Sequence, residues 1–391
     1  MDIGGTYGGA ERFGLELSCY LDHTLFDISV CAFWRHGTKQ ENQWCERLQR
    51  EGINVFFIED WGSQARLWSY FQGLRRLKKY CIPPVDIAHS HFAMGALLAL
   101  MLRISGHARI AMRTVHTIPL EWGAGITGWL CRQVFQRWVL PLTMDAEIGV
   151  SQTVTDRLRH HPGARLIGSK RCYTIYNAIS MDICAEQQEN TFDSKIIPSL
   201  GGGGFTVGSI GRLAKEKGYI YLIEALPMVL AKLPNVLLVL IGDGYLRDSL
   251  QQRAKQLHID DKLLFVGQRD DAISLLKCMD LFVLPSLSES LPTAVLESMA
   301  CGVPVVATDI PGIRELIQHR ETGWLVPIAD PSALADAIVA LLRDPLLRKR
   351  LSVNARKWVS NFSIDTIADQ YARLYWKITS SERPKNARLA E

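Results

Sequence analysis

The chain has 391 residues, 48% of them hydrophobic and 21% charged, with a net charge of +4; that composition belongs to a globular protein and excludes fibrous and intrinsically disordered classes. The length exceeds one ordinary core and predicts two domains, and no apolar run reaches the ~20 residues that cross a bilayer. The nine cysteines, none closer than twelve residues to another, exclude a C-x-x-C or zinc-ligand pattern and suit a reducing, cytoplasmic setting.

Charge is unevenly placed. Residues 1–180 carry 20 Lys and Arg against 15 Asp and Glu, leaving 24 against 25 for the remainder. A modestly basic first half can meet an anionic surface, substrate or lipid, although ordinary scatter gives the same imbalance. No nucleic-acid partner is expected.

In chain order, MDIGGTYGGAERF lacks a basic start followed by an apolar core, so no secretory signal is expected. Its glycine-rich turn, Gly4 to Gly9, precedes a helix. Strands are predicted at Ser29–Phe33, Val55–Ile58, Asp86–His89, Ala111–His116 and Ala146–Val150, with a buried helix at Phe92–Leu102. Leu74–Tyr80 (LRRLKKY) is basic. Ile126–Leu142 places Ile126, Trp129, Leu130, Phe135 and Trp138 at near-helical spacing beside Arg132 and Arg137. Such a helix either packs on its own domain or lies on an anionic membrane. Glu186–Gly204, with four consecutive glycines, reads as a linker.

Beyond it, β-branched runs at Phe205–Gly211, Val236–Gly242, Lys262–Gly267, Leu281–Ser286, Val303–Thr308 and Trp324–Val326 alternate with helical patterns such as Tyr219–Leu233 and Leu246–Leu257. That alternation predicts a parallel sheet covered on both faces. Pro292 suits a first helical turn, and Gly302 a helix stop. A last helix is expected at Ile364–Trp376, followed by a frayed, charged tail. The fold class is therefore α/β: two doubly wound domains whose strand C-termini face a central cleft. The boundaries are 1–180, a linker at 181–204, 205–361, and a C-terminal helix over 362–380 that crosses back to the first domain.

Three segments carry chemistry. The first, Ser286-Leu-Ser-Glu289-Ser-Leu-Pro-Thr-Ala-Val-Leu-Glu297-Ser-Met-Ala-Cys-Gly302, follows a strand and enters a helix near Pro292. The free amides and positive dipole end of that helix are ready for a phosphate. Glu297, within the helix, can accept hydrogen bonds from vicinal hydroxyls. Two glutamates eight apart are by themselves also compatible with a solvated helix face. The second segment, Val207-Gly-Ser-Ile-Gly211-Arg212-Leu-Ala-Lys-Glu-Lys217-Gly218, places two cations on a strand-end loop, as a diphosphate needs; a routine basic loop is the alternative. The third is the Gly4–Gly9 turn before Glu11 and Arg12. It is not G-x-G-x-x-G and lacks the acidic partner of dinucleotide folds, which argues against NAD.

Together these segments resemble glycosyltransferase family four, the large retaining group with the GT-B fold. The resemblance is specific over about Phe205 to Leu342. It is looser in Gly8-Gly9-Ala-Glu, Val115-His116, Gly149-Val-Ser151 and Ile175-Tyr-Asn177-Ala-Ile. It implies that Arg212 and Lys217 bind a donor diphosphate, that Glu289 meets the transferred sugar and Glu297 the ribose, and that amides near Leu291, Pro292 and Thr293 hold the distal phosphate. Gly9 and Gly211 would approach the donor closely. Gly242, in the Gly242-Asp-Gly244 turn, would border the base, with Asp243 read as the cap of the next helix. His116 would be the active-site histidine near the sugar, unless it is simply a buried histidine bonded to backbone. The implied activity is transfer of a hexose-type sugar from a nucleotide-diphosphate donor, UDP before GDP, to a glycan or lipid-linked glycan of bacterial surface polysaccharide or lipopolysaccharide synthesis. No metal or other cofactor is expected. The expected setting is cytoplasmic, at the inner face of the membrane.

The sequence departs from the family pattern in three places. Only Met1–Ile3 precede the glycine turn, where a full first strand is usual, so either the start is misassigned or that strand is truncated. Ala178 stands for the usual glycine and Ser180 for an aspartate. The rival readings are an inactive nucleotide-sugar-binding paralogue, a GT-B nucleotide-sugar epimerase or hydrolase, and an NAD oxidoreductase. The intact Arg212, Lys217, Glu289 and Glu297 set weighs against the first, the Glu289–Glu297 segment against the second, and the missing dinucleotide fingerprint against the third.

Overall fold

The computed structural model describes residues 9–60, 73, 75–77, 83–116, 133–184 and 204–381. Gly4 to Gly8, the stretch Ile126 to Leu130, most of the LRRLKKY run, the linker from 185 to 203 and the charged tail from 382 lie outside the described residues. The chain divides into two compact units, one made of 1–177 with 364–391 and the other of 178–363.

In the first unit α1 (Gly9–Tyr20), β1 (Ser29–Arg35), α2 (Lys39–Arg50) and β2 (Asn54–Asp60) come first, with β1 and β2 paired in parallel. Then follow β3 (Val85–Ser90), α3 (Ala93–Ile104), β4 (Ala108–Val115), a π-helical turn over Phe135–Val139 leading into α4 (Leu140–Thr143), β5 (Ala146–Gly149), α5 (Gln152–Arg159), α6 (Pro162–Leu166) and β6 (Cys172–Thr174). The last four strands form a parallel sheet in the order β3-β4-β5-β6. β6 had no counterpart in the sequence reading, because three residues are too few to show a period. The sequence also hid a buried ion pair. Arg113 of β4 lies in register with Glu147 of β5, and its Nε donates to the carboxylate at 2.7 Å with both side chains under 10% exposed. Each charge is tolerable there only because the other is present.

The second unit runs β7 (Phe205–Ile210), α7 (Tyr219–Lys232), β8 (Val236–Ile241), α8 (Arg247–Gln256), β9 (Leu263–Gly267), α9 (Ala272–Lys277), β10 (Leu281–Leu284), α10 (Thr293–Ala300), β11 (Val305–Thr308), α11 (Pro311–Arg314), β12 (Trp324–Val326), α12 (Pro331–Arg343) and α13 (Pro345–Val359). Every residue of β8, β10 and β11 is buried, which is why these strands read as unbroken apolar runs. All pairings are parallel, and the strand order is β12-β11-β10-β7-β8-β9. α7 and α12 cover the sheet with Leu222, Ile223, Leu334 and Ile338, each essentially excluded from water. Full burial of one such side chain stabilises by about 2 kcal/mol. The order reverses between β7 and β10, so the loops leaving these two strands diverge to opposite faces and open a crevice at their C-terminal ends.

The final helix, α14 (Ile364–Ser381), belongs to the first unit. Its buried positions Ile364, Ile367, Ala368, Tyr371, Leu374, Tyr375 and Ile378 recur at helical spacing. Tyr371 meets Thr114 Oγ1 at 3.0 Å, and Tyr375 meets His89 Nδ1 at 2.8 Å.

Candidate functional site

The loop after β7 holds Gly211, Arg212 and Lys217; the loop after β10 holds Ser286 and Glu289. Two glycines set the spacing of these loops. Gly218 is left-handed (φ 64°), and a Cβ there would stand 2.1 Å from the carbonyl oxygen of Pro285. Gly242 has φ 133°, and its Cβ would stand 2.1 Å from the carbonyl oxygen of Gly211. Both contacts are backbone against backbone, so no rotamer change can relieve them. The backbone N–H of Leu287 then donates to the carbonyl of Glu216 at 2.8 Å, tying the two loops together.

That approach brings Lys217 to Glu289. Lys217 Nζ donates to Glu289 Oε1 at 2.7 Å, and Ser286 Oγ donates to the same oxygen at 2.7 Å. The lysine and glutamate side chains are 22% and 11% exposed, so the pair is poorly screened and its hydrogen bonds are charge-assisted. Ser286 is fully buried, and its carbonyl accepts from Thr308 Oγ1. Glu289 is thus held by one oxygen, which leaves Oε2 to accept from a hydroxyl.

Arg212 does not join that contact. Its side chain is 66% exposed and pairs with Glu216. Pro292 is the residue before α10 and gives no side-chain cap, one position earlier than the sequence suggested. Thr293 opens the helix, Leu291 is buried just ahead of it, and Glu297 stands half-buried in its second turn. Gly302 follows the helix with φ 72°, as a left-handed stop. Asp243 is not the cap of α8. It accepts from its neighbour's amide, Gly244 N, at 2.7 Å and pairs with Arg247 at 2.9 Å, while Leu246 holds the cap position. The helix starts only at Arg247, so Asp243 lies three residues ahead of the cap position and its carboxylate serves the turn and Arg247.

Beneath the β7 loop, the buried hydroxyl of Tyr219 has the buried hydroxyl of Ser209 as its neighbour. Burial pushes the Tyr219 phenol well above its ordinary range, so it stays protonated.

Gly9 and His116 belong to the first unit. Gly9 is exposed at the start of α1. His116 is buried just past β4, with Nδ1 3.1 Å from Asn177 Oδ1 and Nε2 3.1 Å from His91 Nδ1. Its partners are thus side chains, not the backbone. His89 joins the group, bonding Tyr375 through Nδ1 and Thr114 Oγ1 through Nε2, each at 2.8 Å. Phe13 packs edge-on against His91 and His116. Burial lowers all three imidazoles: His116 to about 4, His89 to about 3 with the neighbouring His116 adding to the effect, and His91 well below its ordinary value. Among the described residues no group of three His, Cys, Asp or Glu is placed to hold a metal ion.

Sequence reasoning passed over Ser286, His91 and Tyr219. The signals were present: a serine three residues before Glu289, the His89-Ser-His91 alternation at a strand end, and a tyrosine directly after Lys217-Gly218.

Residues 7–183 match the model of glycosyltransferase family 4, and residues 193–358 match that of glycosyl transferases group 1. The chain is 27% identical over 380 residues to a UDP-Gal:alpha-D-GlcNAc-diphosphoundecaprenol alpha-1,3-galactosyltransferase of Escherichia coli, covering 94% of this chain and 93% of that one. It is 38% identical over 169 residues to the lipopolysaccharide core biosynthesis glycosyltransferase LpsE of Rhizobium meliloti, covering 43% of this chain and 48% of the relative. The matches at 34–38% identity span about half the length of the relatives concerned. Anabaena Alr3699/HepE, solved with UDP and glucose, superposes with a TM-score of 0.76 over 96% of this chain and 98% of that one, at 23% identity.

Two outcomes follow from the site's packing. Gly242→Ala is expected to lower unfolding free energy by at least about 2 kcal/mol, because backbone must move to admit the methyl; an unchanged urea midpoint would refute the contact. The buried histidines set a pH dependence. Their folded pKa values lie below the unfolded ~6.5, so their contribution is complete above that value and is lost as pH falls toward about 4. Thermal stability of the full chain should therefore drop between pH 7 and 5, above the range where carboxylates titrate. A flat profile there would show that the cluster is hydrated.

Proposed function

The chain belongs to glycosyltransferase family four and has the GT-B fold, and from that premise we propose that it moves a hexose-type sugar from a nucleotide-diphosphate donor, UDP-linked by preference, to a glycan or lipid-linked glycan acceptor, with retention at the anomeric carbon. The observation that carries the reading is the Lys217–Glu289 contact at the switch point of the second unit's sheet. A donor laid across that point meets both demands of the chemistry. As the anomeric C–O bond breaks, negative charge grows on the departing diphosphate. Lys217 has three donors and can keep Glu289 while it binds a phosphate oxygen. Arg212, exposed and among the described residues held by Glu216, has donors left to fork onto the same group. The amides near Leu291 and Thr293, at the positive end of α10, would take the distal phosphate. Charge placed in advance where charge develops is what lowers the barrier, and this scheme routes no step through a metal. The free oxygen of Glu289 accepts from a sugar hydroxyl, and Glu297 serves the ribose. In the retaining path we favour, the acceptor hydroxyl attacks on the leaving-group face and the phosphate oxygen receives its proton.

The relatives supply the finer choices. One is named for a UDP-galactose donor and a diphosphoundecaprenol-linked acceptor, another for lipopolysaccharide core synthesis, and HepE was solved with UDP. UDP-hexose and bacterial surface polysaccharide or lipopolysaccharide synthesis are accordingly our proposals for this chain. Release of free nucleoside diphosphate from a panel of UDP-, GDP- and ADP-sugars, with membrane extract as acceptor, tests the reading. Release from one donor that falls about 100-fold in Glu289→Ala is the expected result. No release from any donor, even with extract present, would favour an inactive nucleotide-sugar-binding paralogue.

We further propose contact with an anionic membrane on the first unit. Val134, Trp138 and Leu142 are 40–51% exposed and recur every fourth residue along the π-turn and α4. Arg137 lies among them. The adjoining α6 adds Arg165 and the 71% exposed Leu166. Apolar side chains flanked by arginines suit the headgroup boundary. Among the described residues no helix is long and apolar enough to cross a membrane. Binding to phosphatidylglycerol vesicles at low salt, weakened about tenfold in Trp138→Asp, is expected; equal binding by both proteins would remove the proposal.

A further inference from the structure

Glu289 sits in a loop, and a glutamate side chain turns about several bonds, so its carboxylate keeps one orientation only where neighbours hold it. Lys217 is a poor fixture by itself. Its ammonium rides on a flexible four-carbon stem and, in the reading above, is shared with a phosphate oxygen. Ser286 is a different kind of partner. Its side chain is short and fully buried, and its one O–H is donated to Glu289 Oε1 at 2.7 Å. Among the described residues both hydrogen bonds to this carboxylate fall on Oε1, which turns Oε1 toward the buried serine and leaves Oε2 presented.

The serine is held in turn from the neighbouring strand. β10 and β11 pair in register, with Leu284 beside Ala307, so Thr308 at the end of β11 comes level with the start of the β10 loop. Thr308 is fully buried, and its hydroxyl donates to the Ser286 carbonyl at 2.5 Å. The chain leaving β11 then returns over the same loop. A Cβ on Gly312 of α11 would stand 2.5 Å from the carbonyl oxygen of Glu289 and 2.5 Å from that of Ser290. The backbone that carries the glutamate is therefore backed by the β11 loop, while its side chain is fixed from below.

We propose that Ser286 and Thr308 are positioning residues for the sugar contact of Glu289: the serine fixes the carboxylate with Oε2 turned to the sugar hydroxyl, and the threonine fixes the serine. This deepens the glycosyltransferase reading above and rests on it. A carboxylate already oriented needs no reorganisation as the anomeric bond breaks, whereas a displacement of about 1 Å at such a contact costs up to about 100-fold in rate. In the same reading the diphosphate is met by Lys217, Arg212 and the amides of α10. Loosening Glu289 should therefore harm turnover of the nucleotide sugar and spare binding of the free nucleotide.

Four variants of the full chain test this, with UDP-glucose, or whichever donor of the panel turns over, and membrane extract as acceptor. Ser286→Ala should lose about 30-fold in kcat/KM for the donor, and Thr308→Val, nearly the same shape without the hydroxyl, about tenfold. Affinity for UDP by calorimetry should stay within about threefold of wild type, and Tm within about 4 °C. Thr308→Ser keeps the hydroxyl and should recover most of the turnover. Because the serine acts through Glu289, adding Ser286→Ala to Glu289→Ala should cost less than about threefold more. Full additivity of those two substitutions overturns the positioning role, as does a Ser286→Ala enzyme within threefold of wild type or one whose UDP affinity falls as far as its turnover. Equal turnover by Thr308→Val and Thr308→Ser overturns it independently, should Ser286→Ala fail to fold. Each of these outcomes leaves the transferase reading standing. A wild type that releases nucleotide from no donor overturns that reading, and this role with it.

Discussion

The second unit is organised by how closely three strand-end loops can approach one another. A sheet spaces neighbouring strands about 4.8 Å apart, and a loop that leaves a strand normally turns outward with its side chains between itself and its neighbours. Here Gly242 lies against the carbonyl of Gly211 and Gly218 against that of Pro285, with no side chain between. The consequence is chemical. A lysine on the first loop reaches a glutamate on the second across 2.7 Å, although the two are 72 residues apart in sequence. Ser286 shares the same oxygen, and the Leu287–Glu216 backbone bond holds the two loops at that distance.

The two units use opposite electrostatic strategies. The second keeps a full charge pair at a half-open edge, where the lysine retains spare donors and the field of a helix N-terminus adds to it. The first holds three neutral imidazoles in a dry cluster and lets hydrogen-bond direction, not charge, carry the information. A charge pair attracts a diphosphate from a distance.

The fold was legible because parallel strands buried on both faces leave unbroken apolar runs, as in VLLVLI at β8 and LFVL at β10. Helix ends followed the same logic at Gly302. The loop of Ser286 to Glu297 could be recognised because strand, turn, proline and glycine fall in a fixed order. What the sequence withheld depends on contacts between distant residues. Arg212 reads as a phosphate ligand beside Lys217, and its pairing with Glu216 four residues on is a contact that the motif alone does not show. Arg113 sits inside an apparently apolar strand, and only its register with Glu147 explains how. His116 was visible as a motif, but its partner His91 lies 25 residues away, and only the pairing of β3 with β4 brings them together. Asp243 lost its expected role because the helix after β8 begins only at Arg247, with Leu246 at its cap.

The first unit is discontinuous: its core includes Tyr371 and Tyr375, supplied by the last helix. The second unit, 178–363, is a single uninterrupted stretch. On a ribosome, chain order and completion order therefore part company. Residues made first wait, with Thr114 and His89 lacking their tyrosine partners, while the later stretch has everything it needs to close. Domains usually mature in the order of synthesis; here the second unit is free to finish before the unit that begins ahead of it, and the bonds of Thr114 and His89 to Tyr371 and Tyr375 form only after α14 has been made.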